Sequence, residues 1–107
     1  MKLSEDEIVK DAVCFHCQQA IEKYLKAFLI YYKVHYEKTH NIEYLLVECA
    51  KIDDDFRDIE VKSISRFAVI IRYAEDFYIP DMEEVKFYYN LTKRIKEMVF
   101  TKLGVKR

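Results

Sequence analysis

A run of apolar residues at helical spacing, within residues 14–32, constrains the fold more than any other part of the sequence. Its members recur at steps of three and four, which places them on one stripe of an α-helix and is incompatible with a β-strand. They are Cys14, Cys17, Ile21, Leu25, Phe28 and Tyr32. Such a stripe has to be buried, so we expect a long helix onto which the rest of the chain packs.

A compact polar ridge lies on another face of the same predicted helix. Gln18, Glu22 and Lys26 follow one another at steps of four, and Gln19 and Lys23 lie beside them. Glu22 precedes Lys26 by four residues, which is the favourable order for an ion pair on a helix. A long apolar helix therefore carries a compact polar ridge in its middle.

The composition indicates one helical domain that covers residues 1–107. The chain has 107 residues with one glycine and one proline, and 51% of its residues are hydrophobic and 35% are charged. These values are typical of long helices joined by short connections, and the length fits a single domain.

Four segments have helical periodicity and recognisable end signals. They run from Ser4 to about Lys33, from Thr39 or Asn41 to about Cys49, from about Ile59 to Tyr78, and from Asp81 to Gly104. Pro80 prevents the third helix from continuing, and Asp81 and Glu84 form a capping box for the fourth. Because the connections are short, we predict an all-α, up-and-down antiparallel four-helix bundle.

The three cysteines do not indicate a metal or redox site. Cys14 and Cys17 have the Cys-x-x-Cys spacing, and His40 and Cys49 could complete a zinc site. Both residues of the pair lie on the apolar stripe, however, where free cysteine behaves as a small hydrophobic residue. We expect no metal, no cofactor and no disulfide.

The odd cysteine number, the lack of a signal peptide and the lack of a run of roughly 20 apolar residues predict a cytoplasmic protein that does not contact a membrane.

Two further polar positions allow both a structural and a functional interpretation. His40, between Thr39 and Asn41, either caps the second helix or contacts a ligand. Arg72, followed by Tyr73, either neutralises carbonyl groups at the end of the third helix or holds a phosphate. Judged alone, the structural role is favoured for both, and no familiar catalytic constellation is complete.

Three blocks of residues between Gln18 and Tyr73 share their sequence and order with a known family. They are residues 18–29, with QQAIEK and KAFL, residues 39–46, with THNI and LL, and the pair Arg72-Tyr73. In these blocks the chain resembles the HEPN domain, the higher-eukaryote and prokaryote nucleotide-binding helical domain. The resemblance implies an up-and-down helical bundle that commonly dimerises. It also implies a small nucleotidyltransferase of the MNT type as partner, in a toxin–antitoxin or related system.

The chain departs from the ribonuclease branch of that family. In that branch an arginine and a histidine are separated by four to six residues, but the corresponding positions after Arg72 hold Phe77, Tyr78 and Ile79. The family's usual proline and aspartate after Arg-Tyr are replaced by Ala74 and Glu75. Because the catalytic histidine is absent, the resemblance implies a member that binds a ligand without cleaving RNA.

We therefore predict a non-catalytic HEPN-type protein that binds a nucleotide or another phosphorylated ligand and acts with an MNT-type nucleotidyltransferase. The residues expected to bind the ligand are Gln18, Gln19, Glu22, Lys26, His40, Arg72 and Tyr73. Two alternatives remain: a metal-independent ribonuclease that uses Arg72, His40 and Tyr78, and a purely structural interaction protein. Contact with nucleic acid is left open, because the net charge is −1 while the segment from Lys93 onwards is basic.

The sequence also predicts a homodimer. A second apolar and aromatic strip lies beside the first stripe of the long helix and consists of Val13, Ala20, Tyr24, Ala27 and Tyr31. One partner helix cannot cover both strips, and two strips left in water would form a larger apolar patch than soluble monomers usually expose. We expect a closed two-fold pair.

Overall fold

The computed structural model describes residues 4–68 and 79–105, and the regular elements in these residues are helices, with no β-strand. There are three α-helices, α1 (Glu5–Tyr31), α2 (Ile42–Ile52) and α3 (Met82–Leu103), and two short 3-10 helices, Asp54–Phe56 and Ile64–Phe67. The all-α class is therefore confirmed. Three α-helices are described instead of the predicted four, and half of the predicted third helix, residues 69–78, lies outside the described residues.

The predicted end signals cap the helices. The Ser4 hydroxyl accepts from the Glu7 backbone N–H and the Glu7 carboxylate accepts from the Ser4 backbone N–H, which closes a capping box on α1. Asn41 caps α2 and Asp81 caps α3 through their side-chain oxygens. Gly104 ends α3 with a left-handed φ of 70°, a conformation that costs glycine little.

The predicted third helix does not begin at Ile59. Asp58 and Lys62 have φ angles of 64° and 49°, which are left-handed and incompatible with an α-helix running through them. Between them Ile59 and Val61 are both buried, as expected for two alternate residues of an extended segment. Helical turns resume only in the 3-10 helix Ile64–Phe67.

α2 and α3 pack against different sides of α1, and both run in the same direction as α1. Asp81, at the start of α3, interacts electrostatically with Lys10, and Phe100, near its end, packs edge-on against Tyr24 with ring centroids 5.9 Å apart. The predicted alternation of direction is therefore not seen among these three helices. The reason is that residues 32–41 carry the chain back along α1 in non-helical form before α2 begins.

The predicted apolar stripe of α1 forms the centre of the core. Five of its six residues are buried, and only Tyr32, at 45% exposure, is not. The rings of Phe28 and Phe56 pack 4.7 Å apart between centroids, and those of Phe67 and Tyr88 pack 5.8 Å apart. The aromatic residues thus join α1 and α3 to the two 3-10 helices.

The second strip of α1 is partly covered within the chain. Val13 and Tyr24 pack against the core beside α3, whereas Ala27 and Tyr31 are exposed. The surface left for a partner is therefore narrower than the sequence indicates. Among the helices that the structure describes, none is long and apolar enough to cross a membrane.

Phe56→Ala tests whether the 3-10 helix Asp54–Phe56 is part of the core. Phe56 is 1% exposed and contacts Phe28, so we expect the free energy of unfolding to fall by about 3–5 kcal/mol. Val47→Ala, on the exposed face of α2, should change it by about 0.5 kcal/mol or less. Urea denaturation at one protein concentration measures the free energy of unfolding of both variants. Equal decreases in the two variants would contradict the assignment of this 3-10 helix to the core.

Candidate functional site

Four of the predicted ligand-binding residues on α1 form a hydrogen-bonded network with the start of α2. Gln18 is completely buried, and its Nε2 donates to Glu22 Oε1 and to the backbone carbonyl of His40, each at 3.1 Å. Gln19 Nε2 donates to Gln18 Oε1 at 2.7 Å. The amide pair therefore connects the middle of α1 to the residue just before the N-cap of α2.

The Glu22 carboxylate is the centre of this network. Glu22 is only 5% exposed, and its Oε2 accepts from Lys26 Nζ at 2.9 Å. The His40 ring nitrogen Nδ1 lies 3.0 Å from Oε1 and 3.2 Å from Oε2. With Gln18 as the third partner, both carboxylate oxygens are bonded, which is what a buried charge requires.

The network keeps Glu22 ionised. Burial alone would raise the pKa of the Glu22 carboxyl. The hydrogen bonds that it accepts, from Lys26 first and then from His40 and Gln18, outweigh burial and lower this pKa below the usual value. Glu22 is therefore an anion at neutral pH.

An ionised Glu22 fixes the orientation of the His40 imidazole. A carboxylate only accepts hydrogen bonds, so the proton of the bond between them lies on His40 Nδ1. Nε2 is then the ring nitrogen that remains for other contacts, and the side chain is 65% exposed. The site thus presents an imidazole at the surface that is held from behind by a buried negative charge.

The network also reaches the chain that precedes Arg72 and Tyr73. Gln19 Nε2 lies 3.5 Å from the backbone carbonyl oxygen of Ala68, the last residue described before the gap. Arg72 and Tyr73 themselves lie outside the described residues. Their part in the site stays a prediction, whereas Gln18, Gln19, Glu22, Lys26 and His40 are brought together.

The polar ridge of α1 and the histidine before α2 thus form one site. A family model described as HEPN domain matches residues 2–103. The chain belongs to the HEPN domain family. Comparison with curated proteins and with solved structures gave no match.

One residue of the site in this HEPN domain was not predicted. Ser65 Oγ accepts from the Ile42 backbone N–H at 3.2 Å and donates to Glu43 at 3.2 Å. It thereby satisfies one of the N–H groups that a helix leaves unpaired at its start. Ser65 is 23 residues from Ile42, so no local pattern in the sequence indicates this contact.

The cysteines of the HEPN domain are core residues. Cys14, Cys17 and Cys49 are buried and free, and Cys49 Sγ donates to the backbone carbonyl of Leu25 at 3.7 Å. Burial, reinforced by the charge of Glu48, raises the pKa of Cys49 to about 12, and burial also raises the pKa of Cys17. These thiols are therefore weak nucleophiles. Residues 4–68 and 79–105 contain no group of three or more His, Cys, Asp or Glu side chains arranged for a metal ion.

Glu22→Gln tests the role of the buried charge through the pH dependence of stability. Because folding lowers the pKa of Glu22, its contribution is complete above the usual pKa of about 4.5 and is lost as pH falls below that value. At pH 7 the variant should be less stable by about 1–3 kcal/mol, and this difference should shrink between about pH 5 and pH 3.

The control is Glu37→Gln, in the exposed part of the segment before α2. Denaturation of the three proteins at a series of pH values makes the measurement. A Glu22→Gln difference that is the same at pH 7 and pH 3 would show that the charge of Glu22 does not stabilise the fold.

Proposed function

We propose that this HEPN-domain protein is non-catalytic, binds a nucleotide or another phosphorylated ligand, and acts with a small nucleotidyltransferase of the MNT type. The observation that carries the proposal is the Glu22–His40 pair. It holds an exposed imidazole in one orientation and lies beside Lys26 in a member of the HEPN domain family.

The charges of the site indicate how a phosphate would bind. Glu22 neutralises Lys26, so Lys26 alone gives the site little attraction for an anion. His40 can offer Nε2 to a phosphate, because its Nδ1 is already bonded to the Glu22 carboxylate. Arg72 is the proposed second cation, because guanidinium binds phosphate in a bidentate manner. Gln18 and Glu22 then position His40 and do not contact the ligand.

The nucleotidyltransferase partner is proposed from the family resemblance. Co-expression with an MNT-type nucleotidyltransferase and purification through a tag on either chain tests it. A stable complex would support the two-component assignment, and recovery of each chain alone would count against it.

The ribonuclease alternative has one observation in its favour. A buried carboxylate that orients the Nδ1 side of an imidazole and leaves Nε2 exposed is the arrangement that many enzymes use for a general base. Cleavage without metal also needs a group that stabilises charge on the phosphate, and Arg72 is the residue proposed for it.

His40→Ala should weaken nucleotide binding about ten-fold or more, because it removes a charge-assisted hydrogen bond. His35→Ala is the matched control, since His35 is exposed in the same segment and lies outside the network. Isothermal titration with ATP, GTP and related nucleotides measures both variants. No heat with any nucleotide would leave only the structural interaction role.

The same two variants, together with Arg72→Ala, distinguish the ribonuclease alternative. Cleavage of RNA in the presence of a metal chelator, lost in His40→Ala and Arg72→Ala but retained in His35→Ala, would replace the non-catalytic assignment.

We also propose that two copies of the chain pair through the outer face of α1. Val9, Ala27 and Ile30 are exposed there, and two antiparallel α1 helices would bring Glu5 of one copy beside Lys33 of the other. This arrangement joins opposite charges at both ends of an apolar contact.

Val9→Glu should convert the dimer to a monomer, because it places a charge in the apolar contact. Val47→Glu on α2 is the matched control, as the two valines are 59% and 58% exposed. Light scattering at micromolar concentration measures the mass of each protein. A monomeric wild type, or loss of the dimer in both variants, would show that the outer face of α1 is not the interface.

A further inference from the structure

The outward side of α3 carries a basic and aromatic stripe. The segment from Lys86 to Lys96 contains four basic residues and no acidic residue, and the exposed Glu97, four residues after Lys93, borders it on the same side of the helix. Lys86, Lys93 and Lys96 are exposed, and the ring of Tyr89 between them is 54% exposed. Steps of three, four and three residues place Lys86, Tyr89, Lys93 and Lys96 on one side of the helix, over about 15 Å of its length.

The lysines of this stripe contact aromatic rings. Lys93 Nζ lies 5.5 Å from the centroid of the Tyr89 ring, and Lys96 Nζ lies 5.6 Å from that of Phe100. Such contacts are weak at exposed sites and leave the ammonium groups able to bind a stronger anion. The stripe therefore combines cations with an exposed ring along one side of α3.

Other basic groups of α3 face acidic residues and are not part of the stripe. Lys102 Nζ is 2.8 Å from Asp53 and 2.6 Å from Asp55. Arg94 lines a surface cleft that also contains Asp58 and Glu60. Asp53, Asp55, Asp58 and Glu60 thus lie beside one edge and the end of this helix, away from the stripe.

We propose that this stripe binds single-stranded nucleic acid, with Lys86, Lys93 and Lys96 on phosphates of one strand and a base stacked on Tyr89. Strands of this kind are held by a line of positive charge combined with exposed rings, because every base offers a face for stacking. An acidic protein segment would satisfy the lysines equally well but would not use the ring. The aromatic component therefore favours the nucleic acid.

This surface is separate from the Glu22–His40 site. Tyr24, which contacts Phe100 of α3, is two residues from Glu22, and two residues correspond to about 200° around a helix. The Glu22–His40 site and α3, which carries the stripe, consequently lie on nearly opposite sides of α1. Loss of one function leaves the other intact, so the two proposals are tested independently.

The test is fluorescence anisotropy of the full chain with a labelled 15-nucleotide oligo-U or oligo-dT strand at several salt concentrations. Three phosphate contacts predict a slope of about −2 for log Kobs against log salt. Lys93→Gln combined with Lys96→Gln should reduce the slope by about 1.4. Lys38→Gln combined with Lys51→Gln changes the net charge equally at exposed positions elsewhere and should leave the slope unchanged.

The aromatic part is tested by Tyr89→Ala and Tyr89→Phe. Stacking predicts affinity at least about five-fold lower in Tyr89→Ala and nearly unchanged in Tyr89→Phe, because phenylalanine keeps the ring. Absence of binding at low salt would overturn the proposal. So would equal binding of poly-glutamate with no effect of Tyr89→Ala, which would assign the stripe to an acidic protein.

Discussion

The buried Glu22 carboxylate is the interaction on which the arrangement of the other elements depends. A charge that is almost removed from water is tolerated only if its oxygens are fully bonded, and here the donors come from α1 itself and from the residue before the N-cap of α2. The hydrogen bonds to Glu22 therefore fix the position of His40 at the end of residues 32–41. They also fix the position along α1 at which α2 begins. The helix packing follows from an electrostatic requirement as much as from apolar contact.

The same network has the features of a structural brace and of the binding site proposed above. In the described residues no buried side-chain nitrogen or oxygen is left without a partner, which is what a structural brace requires. A brace alone would not need its histidine at the surface, yet His40 is both bonded to Glu22 and largely exposed. The most buried members, Gln18 and Glu22, hold the most exposed member in place, as the inner residues of a binding site do.

Local patterns in the sequence were sufficient for the caps of α1, α2 and α3 and for most of the core. Ser4, Asn41, Asp81 and Gly104 act at their own helix termini, so neighbouring residues alone reveal them.

The polar ridge of α1 was also recognisable, but spacing could not show that it faces inward. Its contacts with His40 and Ala68, and the contact of Ser65 with Ile42, join residues that are 18 to 49 positions apart. The left-handed residues Asp58 and Lys62 were missed because neither is glycine, the residue that usually marks such a conformation.

The shared direction of α1 and α3 has a mechanical consequence. α1 begins at one end of the pair and α3 finishes at the other, so the two outer ends of the described chain point to opposite poles of the domain. Tension applied between those ends slides α1 along α3 and loads their contacts in shear, all together. In a bundle whose first and last helices are antiparallel, the same pull would peel the contacts apart one after another.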